Sequence, residues 1–389
     1  MALGFRKLRQ SLFINTLPRL LAGLLFIYVY CEYLIYYVVQ IQCGFPTLDK
    51  MSNVQPVYAM IFADPHLLGR NAHWLDKWRR EWQMHRAFQT AMTLHRPEIV
   101  FVLGDLFDEG DKCSEKDFNE YVQRFHELFK VPDGTSLYAV AGNHDVGFHY
   151  NGRELKSHPG QITPQLSGRW ERRMRAPPVR LLSVRGAHFV LLNSMALQGD
   201  GCELCARADA EIHDIADILK CSSGSKLCKG KKKLEKYSRP ILIQHFPLYR
   251  ASDSQCTEPD AAPLPERDSL FIERRDCLSK ESTEYLVESL HPRLAFGAHT
   301  HHSCALRHSF VPTPDHKIEF VEYTVPSFSW RNRLDPKYYL VSFMEFCLLQ
   351  RRPLRIPKLS VGGYILCEFL CLFSNYHKIH KSFITNHGT

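Results

Sequence analysis

Glycine and proline are scarce, at 21 and 22 residues in 389. With 45% hydrophobic and 23% charged residues, that scarcity excludes a collagen-like or disordered chain. No Asn-x-Ser/Thr acceptor occurs, so glycosylation offers no check on topology. Acidic residues are outnumbered 41 to 49, a formal net charge of +8. That excess is modest and uneven, which argues little for nucleic acid. The run Lys226, Lys229, Lys231, Lys232, Lys233 and Lys236 lacks interleaved aromatics and reads as a solvated loop, with no nucleic-acid partner. The abundant residues are histidine, at 20, and cysteine, at 13. The length allows one large catalytic domain or two small ones.

Leu20–Ile41 reads LLAGLLFIYVYCEYLIYYVVQI. At ~1.5 Å per residue it spans the ~30 Å hydrocarbon core, and it is too long for a cleaved signal. Tyrosines crowd both halves, and Glu32 is unfavourable in mid-span unless protonated or facing a partner helix. Arg6, Lys7, Arg9 and Arg19 precede the span and favour a cytoplasmic N-terminus. The expected layout is therefore a tail over 1–19, an anchor over 20–41, a linker over 42–56 and a lumenal domain over 57–336. Disulfides are permitted on that side. Cys202, Cys205, Cys221, Cys228 and Cys256 are expected to use them rather than zinc, in a pairing that sequence does not fix.

Beyond the linker, short apolar runs each end in a metal-binding group. Val57–Ala63 ends in Asp64-Pro65-His66, and Glu98–Leu103 in Gly104-Asp105. Leu137–Ala141 ends in Gly142-Asn143-His144-Asp145, Ile241–Gln244 in His245, and Leu294–Phe296 in Gly297-Ala298-His299-Thr300-His301. One such end is ordinarily a turn or a cap. Five in succession predict buried strands whose carboxyl ends converge on one site. Carboxylates, an amide and imidazoles together suit transition metals. Gly104 and Gly142 would allow the sharp turns. His73–His95 reads as a helix, its Trp74, Trp78, Trp82, Phe88 and Met92 forming a stripe expected to pack on the sheet.

Read together, these blocks resemble the calcineurin-like metallophosphoesterase superfamily, whose pattern is D-x-H, G-D, G-N-H-D/E, H and G-H-x-H. The resemblance implies a four-layer α/β sandwich, two mixed sheets flanked by helices. It implies two divalent metal ions, Mn2+ foremost with Fe or Zn also suited. Asp64, His66, Asp105 and His301 would hold one ion. Asp105, Asn143, His245 and His299 would hold the other, with Asp105 bridging. His144 would act as general acid, oriented by Asp145. Water activated between the metals would attack phosphorus, so no Ser or Cys nucleophile is required. Ala298 departs from the pattern's glycine.

Further segments, Leu67-Leu68-Gly69, His73–Lys77, Gly199–Cys202, His245–Arg250 and Val325–Arg333, resemble the members of that superfamily that remodel GPI glycans. This implies removal of the side-chain ethanolamine phosphate from the second mannose of GPI anchors. The implied partners are GPI-anchored proteins as substrates, the lipid bilayer, and cargo-receptor or COPII-linked export machinery. The implied location runs from endoplasmic reticulum exit sites through the ER-Golgi intermediate compartment to the cis-Golgi. Arg250, Arg331 and Arg333 are candidate phosphate contacts, since the Arg fork matches phosphate. Two alternatives stay open: a lumenal phosphoesterase for a nucleotide or phospholipid, and a catalytically silent sorting receptor for GPI cargo. After Pro336 the resemblance stops. Residues 337–389 read as a divergent tail without a dilysine signal, and Leu359–Phe373 is short for a second span.

Overall fold

The computed structural model describes residues 2–46, 55–148, 162–197, 201–224, 228, 232–313, 316–343 and 351–355. Gly199 and Asp200, part of the lysine run (Lys226, Lys229 and Lys231) and the apolar segment 359–373 lie outside them. The chain divides into two units, one of Met1–Gln42 with Ile356–Thr389, the other of Cys43–Arg355.

In the first unit, α1 (Ala2–Val29) runs through one π-helical turn (Tyr30–Leu34) into α2 (Ile35–Gln40). Thr16–Gln40 is 25 residues long and, among the described residues, the one helix long and apolar enough to cross a membrane.

Among the described residues the second unit holds eleven strands in two mixed sheets. One sheet has the order β11 (Arg351–Arg355), β10 (Lys337–Phe343), β1 (Val57–Phe62), β2 (Ile99–Leu103), β3 (Ser136–Val140). The other has the order β4 (Val179–Val184), β5 (Ala187–Leu192), β6 (Ile241–Ile243), β7 (Leu294–Gly297), β9 (His316–Thr324), β8 (Cys304–Thr313). β1, β2 and β3 are mutually parallel, as are β5, β6, β7 and β9, which aligns the carboxyl ends within each sheet.

Period-two alternation builds the sandwich. Val57, Ala59 and Ile61 of β1 face inward to a shared core with Phe101, Phe189, Ile243, Phe296 and Phe343. Phe101 and Phe189 meet with ring centroids 5.0 Å apart, and Phe189 meets Phe343 at 5.0 Å. Phe62, on the opposite face, meets Phe88 of α3 (Trp74–His95) at 5.8 Å and Phe129, just past α4 (Glu115–Leu128), at 5.1 Å. Ser114 caps α4 by accepting from the Asp117 N–H at 3.1 Å. Among the described residues five further α-helices lie in this unit: α5 (Asn143–Val146), α6 (Pro164–Met174), α7 (Glu203–Ser222), α8 (Leu264–Arg267) and α9 (Lys280–Leu290).

Two expectations change here. The aromatic stripe does not pack as a unit: Met84, Phe88 and Met92 are buried, whereas Trp74 is 68% and Trp78 57% exposed. The first turns of α3 project beyond the sheet that buries the rest. The domain also does not end at Pro336. β10 is buried along its length and pairs antiparallel with β1 from Val57↔Phe343 to Ile61↔Tyr339, and β11 adds to its far side. The cysteines pair as Cys202–Cys205, Cys221–Cys228 and Cys256–Cys304.

Candidate metal centre

The groups that follow β1, β2, β3, β6 and β7 meet at the carboxyl ends of both sheets. His66 Nε2 lies 3.6 Å and His245 Nε2 3.4 Å from Asp105 Oδ2, and His245 Nε2 is 3.2 Å from Asn143 Oδ1. Ligand atoms of Asp64, His66 and His301 fall within 4.8 Å of one another, and so do those of Asp105, His245 and His299. Asp105 lies between the two groups, its Oδ1 accepting from the His144 backbone N–H at 2.8 Å.

These side chains are aimed by unusual backbone. Asp64, His66, Asp105, His299 and His301 all have positive φ, from 45° to 72°. That region is disfavoured for residues with a Cβ, and such strain gathers at working sites. Short hydrogen bonds hold the turns: Asp64 N–H to Gly104 O at 3.1 Å and His66 N–H to Asp105 O at 3.0 Å. Gly104 needs its positive φ of 82°, and a Cβ there would lie 2.6 Å from His245 Nδ1. Gly142 has ordinary φ, −107°, so its requirement is space alone: a Cβ would strike the Asp105 carboxylate. Ala298 is fully buried and not among the positive-φ residues, so its methyl group sits in the core without strain.

The donor set fits divalent cations. Both Asp64 carboxylate oxygens, both His66 ring nitrogens and His299 Nδ1 are buried without hydrogen-bond partners. Burial raises the Asp64 carboxyl well above the usual range. Burial also opposes ionisation of Asp105, yet His245 and its neighbouring imidazoles outweigh it and hold that carboxyl well below. Burial lowers His66 and His299 to about 3, leaving neutral imidazoles. His245 resists its own burial because Asp105 lifts it, to about 9, so a proton there supplies the positive charge the carboxylates require. A cation would take over that role and release the proton. His245 Nδ1 donates to the Leu103 carbonyl at 2.7 Å, which directs Nε2 into the centre.

The expected acid and its partner come out differently. His144 stands at the centre's edge, its ring 4.8 Å from that of His66. Its Nδ1 lies 3.0 Å from the Asp108 carbonyl and 3.9 Å from the Asp108 carboxylate. Asp145 does not orient it: that carboxylate turns inward and accepts from the Phe107 and Gly142 N–H groups at 3.0 and 2.9 Å. It braces the loop after β2 against the loop after β3. Asp108, missed in the sequence, orients His144 and lies 3.3 Å from His66 Nδ1. Its signal was only an acid three residues past Asp105, outside every strand period.

The three arginines separate. Arg331 is exposed and touches the Asp108 carboxylate, so of the three it alone borders the centre. Arg250 is buried against Asp253 at 2.7 Å and Thr324 at 3.0 Å, committed away from any phosphate. Arg333 is buried too, donating to the His301 carbonyl at 3.0 Å and pairing with Asp335 at 3.0 Å. It holds a ligand from behind instead of facing substrate. Ser327 does likewise, donating to the Asp64 carbonyl at 2.8 Å, and the Asn332 amide lies 3.4 Å from His301 Nε2. The segment 325–333 thus grips the outer side of the centre.

Two ligand groups, each of one carboxylate and two imidazoles, with Asp105 between them and a further imidazole at the rim, define a metal-dependent phosphoester hydrolase. A sequence model of the calcineurin-like phosphoesterase matches residues 59–303, and the chain belongs to that family. Its relatives include the Metallophosphoesterase 1 homolog of Drosophila melanogaster, 42% identical over 348 residues, with 88% of each chain covered. Metallophosphoesterase 1 of Danio rerio is 41% identical over 82% of this chain and 80% of its own. That of Xenopus laevis is 37% identical over 97% and 96%.

Proposed function

We propose that this chain is a membrane-anchored phosphodiesterase that removes the side-chain ethanolamine phosphate from the second mannose of GPI anchors, and so promotes endoplasmic reticulum to Golgi transport of GPI-anchored proteins. The observation that carries the chemistry is the position of Asp105 between two ligand groups, with both Asp64 carboxylate oxygens and His299 Nδ1 buried and without hydrogen-bond partners. Asp64, His66, Asp105 and His301 would hold one ion, and Asp105, Asn143, His245 and His299 the other. When bound, the two ions supply Lewis acidity and the activated water that in-line displacement at phosphorus requires.

The chain's own groups do the rest. His144, held by Asp108, donates a proton to the departing alkoxide oxygen, a role worth typically 10²–10⁴-fold. Arg331 offers its fork to a phosphate oxygen, competing with Asp108 for the same guanidinium. The buried surroundings of Asp64, Asp105 and His245 keep bulk water from those three ligands. The finer substrate is supported by the GPI-remodelling resemblance of His73–Lys77 and Val325–Arg333, and by an apolar helix that would keep the site beside membrane-borne glycans at high effective concentration. Mn2+ is the metal we favour.

Mass spectrometry of GPI glycans from cells with and without the protein tests this reading. Retained ethanolamine phosphate on the second mannose without it is expected; identical glycans would refute the substrate. Restoration by Asp105→Ala would favour the silent sorting receptor.

A further inference from the structure

Among the described residues the second unit keeps few large apolar side chains in water, and they are sorted by position. Trp74 and Trp78, 68% and 57% exposed with Leu75 beside them, occupy the first turns of α3, just after the ligand loop of β1. Leu264, Leu270 and Ile272 are exposed in the long connection after β6 and His245. Leu334, 91% exposed, follows β9. Each of these connections leaves the carboxyl end of a strand, the end at which the metal centre lies. Two contacts tie them to it. Glu266, beside Leu264, lies 3.4 Å from His302, and Arg333, beside Leu334, donates to the His301 carbonyl at 3.0 Å. Arg331, on Asp108, feels the charges of Asp76 and Arg80 in the same turns of α3.

Two exposed apolar residues among those described in this unit lie elsewhere. Val311 is at the β8–β9 hairpin, the opposite end of the parallel strands, and Tyr285 is hydrogen-bonded to Asp209 on the flank.

We propose that the end of the domain carrying the metal centre is a lipid-docking surface, its protruding tryptophan and leucine side chains seated in the headgroup boundary of a bilayer. Exposed tryptophans on the first turns of α3 and exposed leucines on two other connections match an interface that accepts apolar tips and hydrogen-bonds the indole N–H. The occupant follows from the chain itself. Thr16–Gln40 has the length and composition to cross a bilayer, and residues 41–56 separate it from β1. That many residues reach at most about 55 Å, so the domain never leaves the vicinity of lipid. The proposal rests on reading Thr16–Gln40 as an anchor, and not on the GPI substrate.

All five tryptophans, Trp74, Trp78, Trp82, Trp170 and Trp330, lie in the second unit and none in the apolar helix. Indole emission therefore reports on the domain alone. The full-length chain is reconstituted into phosphatidylcholine vesicles, with brominated acyl chains as quencher. Docking predicts a fall of roughly 30% or more in total emission, since two of five indoles would sit at the boundary. The fall should vanish in Trp74→Phe/Trp78→Phe, while that variant hydrolyses water-soluble bis(p-nitrophenyl) phosphate within about twofold of the parent rate, as exposed changes usually permit. Unquenched emission from a chain that resists alkaline extraction would overturn docking with the anchor intact. Extraction into solution would overturn the anchor reading and the proposal with it. Quenching that arises only after truncation at Arg355 would name the chain's own C-terminal segment as the occupant and overturn lipid.

Discussion

At the scale of single residues, space and backbone conformation decide the centre more than charge does. Gly142→Ala would drive a methyl group into the Asp105 carboxylate. We expect at least ~100-fold loss of phosphodiesterase activity, because ligand misplacement of this kind is costly. Ala298→Gly, by contrast, removes a buried methyl and should cost about 1 kcal/mol of stability with activity retained, read by thermal melts and turnover on one preparation. The two acids beside His144 separate in the same way. Asp108→Asn should lower kcat by ~10–100-fold and weaken metal binding through His66, with little effect on the melt. Asp145→Asn keeps one acceptor oxygen but sets its NH2 against the second backbone N–H, and should destabilise the fold by roughly 2 kcal/mol. Metal titrations and melts on both variants distinguish the roles, and the reverse pattern would reinstate Asp145 as the orienting acid. Sequence made Asp145 attractive because it adjoins His144. Adjacent residues in a tight helical turn face different ways, and no linear pattern carries that fact.

At the scale of elements, β1, β2, β6 and β7 were legible because they are buried almost throughout, which leaves continuous apolar runs closed by a turn, and β3, open at its start, through its buried end at Ala139 and Val140. β8 and β9 were not, since they are partly exposed and their residues alternate with charge. β10 was readable as KYYLVSF but lay past the point where the resemblance stopped. The segment between β6 and α9 illustrates what sequence conceals: Asp260 accepts from Ser303 at 2.7 Å and pairs with Lys337 at 2.7 Å, joining three distant stretches. Burial opposes its ionisation, yet Lys337, Ser303 and Arg333 outweigh it and hold the carboxyl below the usual range. The stability this contributes is complete above the ordinary Asp value near 4 and is lost as pH falls through the lower folded value. Melting temperature should therefore drop, as pH falls below about 4, more steeply in the parent than in Asp260→Asn. Equal slopes would remove the cluster from the account.

At the scale of the molecule, two sheets present the carboxyl ends of β1, β2, β3, β6 and β7 to one region, and the fold exists to hold those turns against their strain. β10 is integral to it, lying between β1 and β11. Truncation after Pro336 should leave the domain protease-sensitive and insoluble, whereas truncation after Arg355 should leave it folded, as limited proteolysis can read. A resistant, soluble chain ending at 336 would return the boundary to where the sequence put it. The central claim is the paired metal site, and metal stoichiometry tests it most directly. Elemental analysis of the folded full-length protein, supplied with divalent salts, should find two ions per chain, and Asp105→Asn should lose both together with phosphodiesterase activity. A parent protein that stays folded with fewer than one ion per chain, or an Asp105→Asn protein that retains both ions and full turnover, would contradict it.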